Sequence, residues 1–528
     1  MHIVVADALP AAALDLLRVP GWNVDARAGR PAADLADALS SADALVVRSA
    51  TMVTSALLDG APRLRVVARA GTGVDNIDLP AATGRGIVVM NAPGGNSVSV
   101  AEHALALMLA MARSIPAADA GMKRGAWEKK RLTGSELRGK CLGILGFGRV
   151  GREVAARARA FGMELIAYDP FIAPRAASDL AVPLVSLEEL LRAAHYLTLH
   201  VPATPDTQHL LNARTLAMCR PGVRIVNTAR GDLVDESALA DALESGLVAG
   251  AALDVFAVEP PGDSRLTRLP QVIATPHIAG STQEAQEQVG LEIAGCVRDF
   301  LRDGVIRNTV NLPPVPVEDF RTLSPLLVLA ERLGGMTAQL SSGAVEGVEV
   351  RYYGTMSERH ADLLGSGALA GVLRTFLSGG ISVVNARAVA ADRRIELVEA
   401  RSNRAREFSN VLSVALRTAA GEWRVEGAAV ESGQPRVCSL DGIDLEAPLE
   451  GVLVAIANED QPGIIGEIGT LLGRRGLNIA RFALGRRDGR AVGLLNVDVD
   501  AGEKPALDAA LDEIRAVRGI TLARAVLV

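Results

Sequence analysis

Residues 141–151, CLGILGFGRVG, decide the reading of this chain. The apolar run Cys141 to Leu145 meets the string Gly146-Phe147-Gly148-Arg149-Val150-Gly151, and the amphipathic stretch REVAARARAFG follows at 152–162. Strand, glycine turn and helix in that order offer backbone amides and the positive end of a helix to an anion. The string alone is a weak signal: with 52 glycines in 528 residues, three placed glycines recur by chance in about every second chain of this length. Its context makes it specific. The next apolar run, ELIAYDP, ends on Asp169, where a dinucleotide site places the carboxylate that receives the ribose hydroxyls. A carboxylate there repels a 2′-phosphate, so the expected cofactor is NAD.

Downstream, YLTLHVP, RIVNTAR, VAGAALDVF and VIATPH continue the alternation of buried runs with helical segments, which is the signature of an open parallel sheet. Upstream, HIVVAD, ALVVRS, LRVVARAG and GIVVMNA predict a first parallel sheet within residues 1–92, with helices between the runs. Residues 97–114, SVSVAEHALALMLAMARS, predict a long helix with Ser97 as N-cap, and a helix from about Thr282 to Arg302 can return the chain to the first domain. Regular structure is expected to stop at NLPPVP, where Pro313, Pro314 and Pro316 crowd together. Beyond it, VEGVEVRYYG, RIELVEA and EWRVEGAAV predict a mixed domain with antiparallel strands. The last segment reads strand, helix, strand, strand, helix, strand (GVLVAIAN, IIGEIGTLLGRRG, NIARFALGRR, AVGLLNVD, ALDAALDEIRAV, TLARAVLV), the order of a ferredoxin-like domain.

Bulk properties narrow the function. A net charge of −6 disfavours a general nucleic-acid binder, whose affinity comes from clustered Lys and Arg. Cys141, Cys219, Cys296 and Cys438 are far apart, with no zinc spacing and no disulfide framework, so reduced thiols in a cytoplasmic protein and no metal are expected. No export signal opens the chain and no run of about 18 apolar residues suits a membrane span.

Three residues stand at the ends of later runs of the second sheet, the edge where open α/β folds build their ligand crevice: Arg230, Glu259 and His277. They suit oxidation of a 2-hydroxyacid. An imidazole exchanges the hydroxyl proton near neutral pH, a carboxylate on its far nitrogen fixes the tautomer, and a guanidinium holds the substrate carboxylate. Taken singly each residue has a structural explanation; their joint placement points to chemistry. Arg48 and Arg69 in the first domain are candidates for a phosphate, with the amides around Thr72 and Gly73 for the carboxylate.

The strings GFGRVG, NTARG, DVFAVEPP and PHIAGST, at matching spacing, resemble the D-isomer-specific 2-hydroxyacid dehydrogenases over residues 1 to about 312. The resemblance implies a Rossmann-type NAD domain (97–283) inserted in a flavodoxin-like substrate or lid domain (1–96 and 284–315). It gives catalytic roles to Arg230, Glu259 and His277 and NAD contacts to Arg149, Val150, Asp169, Val201, Thr228, Ala229, Asp254 and Gly280, beside Gly146, Gly148, Gly151 and Thr72. His103 and His200 also match family strings and are read as structural. VVRSATMVT and residues 69–109 further resemble the 3-phosphoglycerate dehydrogenase branch, which implies 3-phosphoglycerate as substrate, an α+β intervening domain at 318–450 and an ACT domain at 451–528. IANEDQPGIIGEIGTLLGRRGLNIARF carries the ACT resemblance; it implies L-serine bound between paired domains of a homo-oligomer, dimer or tetramer, with Asn458, Asp460 and Asn478 as ligands. A glyoxylate or hydroxypyruvate reductase of the same fold, or a non-catalytic NAD sensor, are the alternatives.

Overall fold

The computed structural model describes residues 1–528 apart from 173–180, 314, 316, 355–356, 378, 403–407, 409, 431–432 and 500–502. Pro314 and Pro316 therefore lie outside the described residues. Contacts group the chain into two compact units: Met1–Ala8, Leu14–Asn91 and Ile293–Val528 form one, Leu9–Ala13 and Ala92–Glu292 the other. The second division falls inside the helix Gln283–Asp303.

In the second unit, β6 (Cys141–Leu145), β7 (Glu164–Tyr168), β8 (Tyr196–Leu199), β9 (Val223–Asn227), β10 (Val248–Leu253) and β11 (Val272–Ala274) form a parallel sheet in the order β11-β10-β9-β8-β6-β7. A parallel bridge from Leu184 to Ala167 adds a rudimentary edge beyond β7. The order is then that of a dinucleotide-binding sheet, with its switch point between β6 and β8. Strands buried on both faces need apolar residues at successive positions, which is why six short apolar runs were legible. Leu142 and Ile144 pack on the side of the helices Ser97–Ala112 and Arg149–Ala160, whereas Leu145, Ile225 and Leu253 face the opposite core. Ser97 is not the N-cap expected from sequence: it is the first helical residue, buried, and Asn96 occupies the cap position, its side chain not capping the helix.

The first unit begins with a parallel sheet of β1 (His2–Val5), β2 (Asn23–Ala26), β3 (Ala44–Val47), β4 (Val66–Arg69) and β5 (Val88–Met90) in the order β2-β1-β3-β4-β5, the flavodoxin-like arrangement. β2 went unread in the sequence, because its residues NVDA form a polar, partly exposed edge. The helix Val317–Leu340 leads to a mixed sheet in which β12 (Val345–Tyr353) pairs parallel with β13 (Glu396–Ser402) and antiparallel with β14 (Val411–Thr418); β15 (Gly421–Ala429), β16 (Pro435–Leu440) and β17 (Ile443–Pro448) follow. A second long helix, Ser357–Phe376, was also missed. The final sheet has the order β19-β20-β18-β21, from β18 (Val452–Glu459), β19 (Asn478–Arg487), β20 (Arg490–Asp498) and β21 (Ile520–Leu527), all antiparallel. Its helices Ile464–Arg474 and Lys504–Arg515 cover one face through Ile468, Leu472, Leu507 and Leu511. The other face, with Leu453, Ala455, Leu494 and Val526, joins the core of the preceding mixed domain.

No single helix among the described residues is long and apolar enough to cross a membrane. Cys141, Cys219 and Cys296 are buried and Cys438 is partly exposed, and no disulfide joins them among the described residues.

Candidate active site

The glycine turn after β6 is fixed by close backbone approach. Gly146 has φ +93°, and a Cβ there would meet the His200 carbonyl at 2.6 Å; a Cβ on Gly151 would stand 2.2 Å from the Gly146 oxygen. A Cβ on Gly148, by contrast, would meet nothing within 4 Å, so the N-cap of the helix Arg149–Ala160 faces open space where a pyrophosphate can approach. Asp169 stands just past β7 and accepts from the Phe147 amide at 2.9 Å and the Phe171 amide at 3.0 Å, which aims its carboxylate beside the turn. The Val201 side chain lies against Gly146, the Arg149 guanidinium against Gly94, and Val150 packs on the core of the sheet. Asn96 packs on Gly280.

After β9, Asn227 organises the next turn by accepting from the Ala229 amide at 3.1 Å and donating to the Arg230 carbonyl at 2.8 Å. Thr228 Oγ1 is buried and has no hydrogen-bond partner among the described residues. Such an atom is rare unless a bound group completes it, and a dinucleotide seated along this strand edge supplies that group. The donor set thus fits NAD.

Arg230, Glu259 and His277 leave the C-terminal edges of β9, β10 and β11, three strands hydrogen-bonded side by side. Gly231 draws the first two segments together: a Cβ on it would fall 1.9 Å from the Phe256 carbonyl carbon. The Glu259 Oε2 to His277 Nδ1 distance is 2.7 Å, and both side chains remain partly exposed, 37% and 49%. Because an ionised carboxylate only accepts, this contact places the imidazole proton on Nδ1 and leaves Nε2 as the acceptor for a substrate proton. Glu259 Oε1 accepts in addition from the Phe256 amide at 3.1 Å. Two residues the sequence did not single out support the arrangement: Asn227, and Glu236, whose Oε1 accepts from the Ala257 amide at 2.8 Å. Asn227 opens the string NTARG, which drew attention to Arg230 rather than to it, and Glu236 belongs to no such string, so only the fold could reveal what they hold.

Asp254 stands just past the end of β10. It is fully buried, and its carboxylate accepts from Thr275 Oγ1 at 2.5 Å and from the Ile278 and Ala279 amides at 2.9 and 2.8 Å. Burial acts to raise its pKa, but the bonds from His103, Thr275 and the two amides outweigh that and hold it below the ordinary range. What the structure displays is support of the loop carrying His277. His200 is desolvated, which pushes its pKa down to about 3, and its Nε2 bonds Thr198 Oγ1 at 2.8 Å.

In the first unit, Asp7 accepts from the Arg48 amide at 2.5 Å and from Thr51 Oγ1 at 2.8 Å, while Asn76 donates to the carbonyls of Arg48 and Thr51. The same Asn76 accepts from Arg69 Nε at 2.7 Å, and Arg69 Nη1 donates to the Gly73 carbonyl at 2.7 Å. Arg48, Arg69 and Gly73 are thereby gathered at one end of β3 and β4. The Thr72 carbonyl accepts from Asn91 Nδ2 at 2.5 Å.

Comparison with known proteins decides the family. Residues 105–279 match the NAD-binding domain of the D-isomer specific 2-hydroxyacid dehydrogenases, 322–441 the D-3-phosphoglycerate dehydrogenase intervening domain and 452–519 the ACT domain. The D-3-phosphoglycerate dehydrogenase of Methanocaldococcus jannaschii is 42% identical over 501 residues, 94% of this chain and 95% of the relative. The chain belongs to the D-3-phosphoglycerate dehydrogenase family. The relative from Synechocystis is 39% identical and is matched over 98% of this chain and 93% of its own length. Among solved structures, D-lactate dehydrogenase of Aquifex aeolicus with NAD and lactic acid superposes with a TM-score of 0.51 at 28% identity, over 59% of this chain and 100% of that one. The chain is thus an oxidoreductase with the family's NAD-binding, intervening and ACT domains.

The three ACT residues are not brought together within one chain. Asn458 on β18 pairs with Ala491 at the start of β20, and Asn478 on β19 pairs with Asp498 at its end. Seven residues of strand, roughly 24 Å, separate those positions along β20. Asp460 lies at the Asn458 end, its amide donating to the Gly489 carbonyl at 2.9 Å and its Oδ1 3.5 Å from Arg486 Nε. Asn478 Nδ2 donates to Asp498 Oδ2 at 2.7 Å. Asn458 Oδ1 is buried with no donor among the described residues.

Proposed function

We propose that the chain oxidises 3-phospho-D-glycerate to 3-phosphohydroxypyruvate with NAD, the first step of L-serine biosynthesis. The full-length likeness to enzymes of that name carries the reading, and the Glu259–His277 contact of 2.7 Å supplies the chemistry it needs.

His277 Nε2 takes the hydroxyl proton as the C2–H bond breaks, and Glu259 stabilises the resulting imidazolium through Nδ1–H. Arg230 presents two parallel donors to the substrate carboxylate. NAD, when bound, takes the hydride. Gly146, Gly148, Arg149, Val150, Gly151, Asp169, Val201, Thr228, Ala229, Asp254, Gly280 and Thr72 are assigned to hold it, and Asp254 also supports the loop that carries His277. Arg48 and Arg69 bind the phosphate, helped by Thr72 and Gly73.

Replacing Arg69 with Ala tests the assignment. The loss in kcat/KM for 3-phosphoglycerate exceeds that for hydroxypyruvate by about tenfold or more, the scale of one lost charge-assisted hydrogen bond. Equal losses would favour a glyoxylate or hydroxypyruvate reductase.

The protein acts in the cytoplasm as a homo-oligomer, with L-serine as a feedback effector at the ACT domain. Asn458 and Asp460 of one domain face Asn478 of a second copy in this reading, since one chain holds them at opposite ends of its sheet. The donorless Asn458 Oδ1 suits an ammonium group.

A further inference from the structure

The loop that carries His277 is held by a chain of polar groups ending at His103 on the helix Ser97–Ala112. Thr275 Oγ1 spends its only proton on Asp254 Oδ1 at 2.5 Å, so a further partner of that hydroxyl must be a donor. His103 Nε2, 3.2 Å away, is that donor. The same nitrogen lies 3.4 Å from Asp254 Oδ1, a fully buried carboxylate oxygen. Asp254 fixes the loop in turn: its side chain accepts from the Ile278 and Ala279 amides, and its main-chain oxygen accepts from the His277 amide at 2.8 Å.

The loop requires such support. His277 has φ +53°, a left-handed conformation that a residue with a Cβ keeps only when its surroundings over-determine it. Packing alone does not explain an imidazole at 103. The neighbours Ala101, Ala104, Leu105 and Met108 build the apolar core, which a leucine at 103 would serve equally well while giving Thr275 no donor.

We propose that His103 is a positioning residue for hydroxyacid oxidation, acting through Thr275 and Asp254 to hold the 275–279 loop, and with it the His277 imidazole, in working geometry. This rests on the reaction proposed above. The test uses the full chain as parent, His103→Leu and His103→Gln, whose amide nitrogen approximates the place of Nε2. The measurements are kcat and KM for 3-phosphoglycerate, the NADH dissociation constant and Tm. His103→Leu lowers kcat by about tenfold to a hundredfold, the effect of a small misplacement of a reacting group, with NADH affinity within about twofold of the parent. His103→Gln restores kcat to within about threefold of the parent. If His103→Leu does not fold, Thr275→Val breaks the same link from the other side and must show the same loss, with Thr275→Ser as its rescue. Parental kcat in the Leu or Val variant, or a Gln or Ser variant as impaired as its partner, overturns the positioning role alone. A parent without turnover of 3-phosphoglycerate overturns the proposed reaction and this role together.

Discussion

In the proposed reaction two atoms, Glu259 Oε2 and His277 Nδ1, hold the centre of the chemistry, and they lie 2.7 Å apart. Replacing His277 with Ala removes the proton acceptor, so kcat falls by about a hundredfold to ten-thousandfold while NADH binding persists, as fluorescence titration can show. In the proposed NAD site Asp169 selects the cofactor by charge, so Asp169→Ser is expected to weaken NAD and improve use of the 2′-phosphorylated dinucleotide, measured as the ratio of the two kcat/KM values. His200 gives a pH prediction. Its folded pKa of about 3 lies below the ordinary value of 6.5, so between those limits the unfolded chain binds the extra proton and stability is lost as pH falls. His200→Gln therefore shows a smaller drop in Tm between pH 7 and pH 5 than the parent. At this scale the sequence revealed residues embedded in distinctive strings, among them Gly146, Asp169, Arg230, Glu259 and His277. It could not show that Glu236 accepts from the Ala257 amide or that Asp254 is enclosed by its own loop, because those roles arise from contacts between distant segments.

Elements were legible where burial leaves a periodic mark. The strands of the dinucleotide-binding sheet, apolar on both faces, and the amphipathic helices of the ACT domain were all read in order. β2 escaped because an exposed edge strand carries no apolar run. Ser357–Phe376 escaped for the opposite reason: from Leu363 to Leu373 it is buried all round and rich in Gly and Ala, so it has no polar face to set a period. Its small residues have a structural cause. It crosses the helix Val317–Leu340 at backbone contact, where a Cβ on Gly371 would stand 2.0 Å from the Glu331 oxygen and one on Gly334 would stand 2.0 Å from the Ala368 oxygen. Gly371→Ala forces the helices apart and destabilises the protein by about 1–3 kcal/mol, read in denaturant titration. A second element-level support is Arg524, which donates to the carbonyls of Gln339, Leu340 and Ser341 at the end of that first helix. Arg524→Ala costs about 1 kcal/mol by uncapping it.

For the molecule as a whole, the boundary that sequence places near residue 450 is not a boundary in packing. Leu453, Ala455, Leu494 and Val526 of the ACT sheet share one core with Leu333, Val350 and Leu416 of the preceding domain. A chain ending at Glu450 therefore exposes apolar surface and unfolds at lower temperature or aggregates, as size-exclusion chromatography and calorimetry would record. Sequence could not foresee this, since a half-buried sheet reads the same whether its second face meets water or another domain. The reaction itself is tested most directly by NADH formation from 3-phosphoglycerate and from unphosphorylated D-glycerate, compared with the same enzyme preparation. A preference of about a hundredfold or more in kcat/KM for the phosphorylated acid is predicted. Equal use of the two acids, or no turnover of 3-phosphoglycerate, would contradict it.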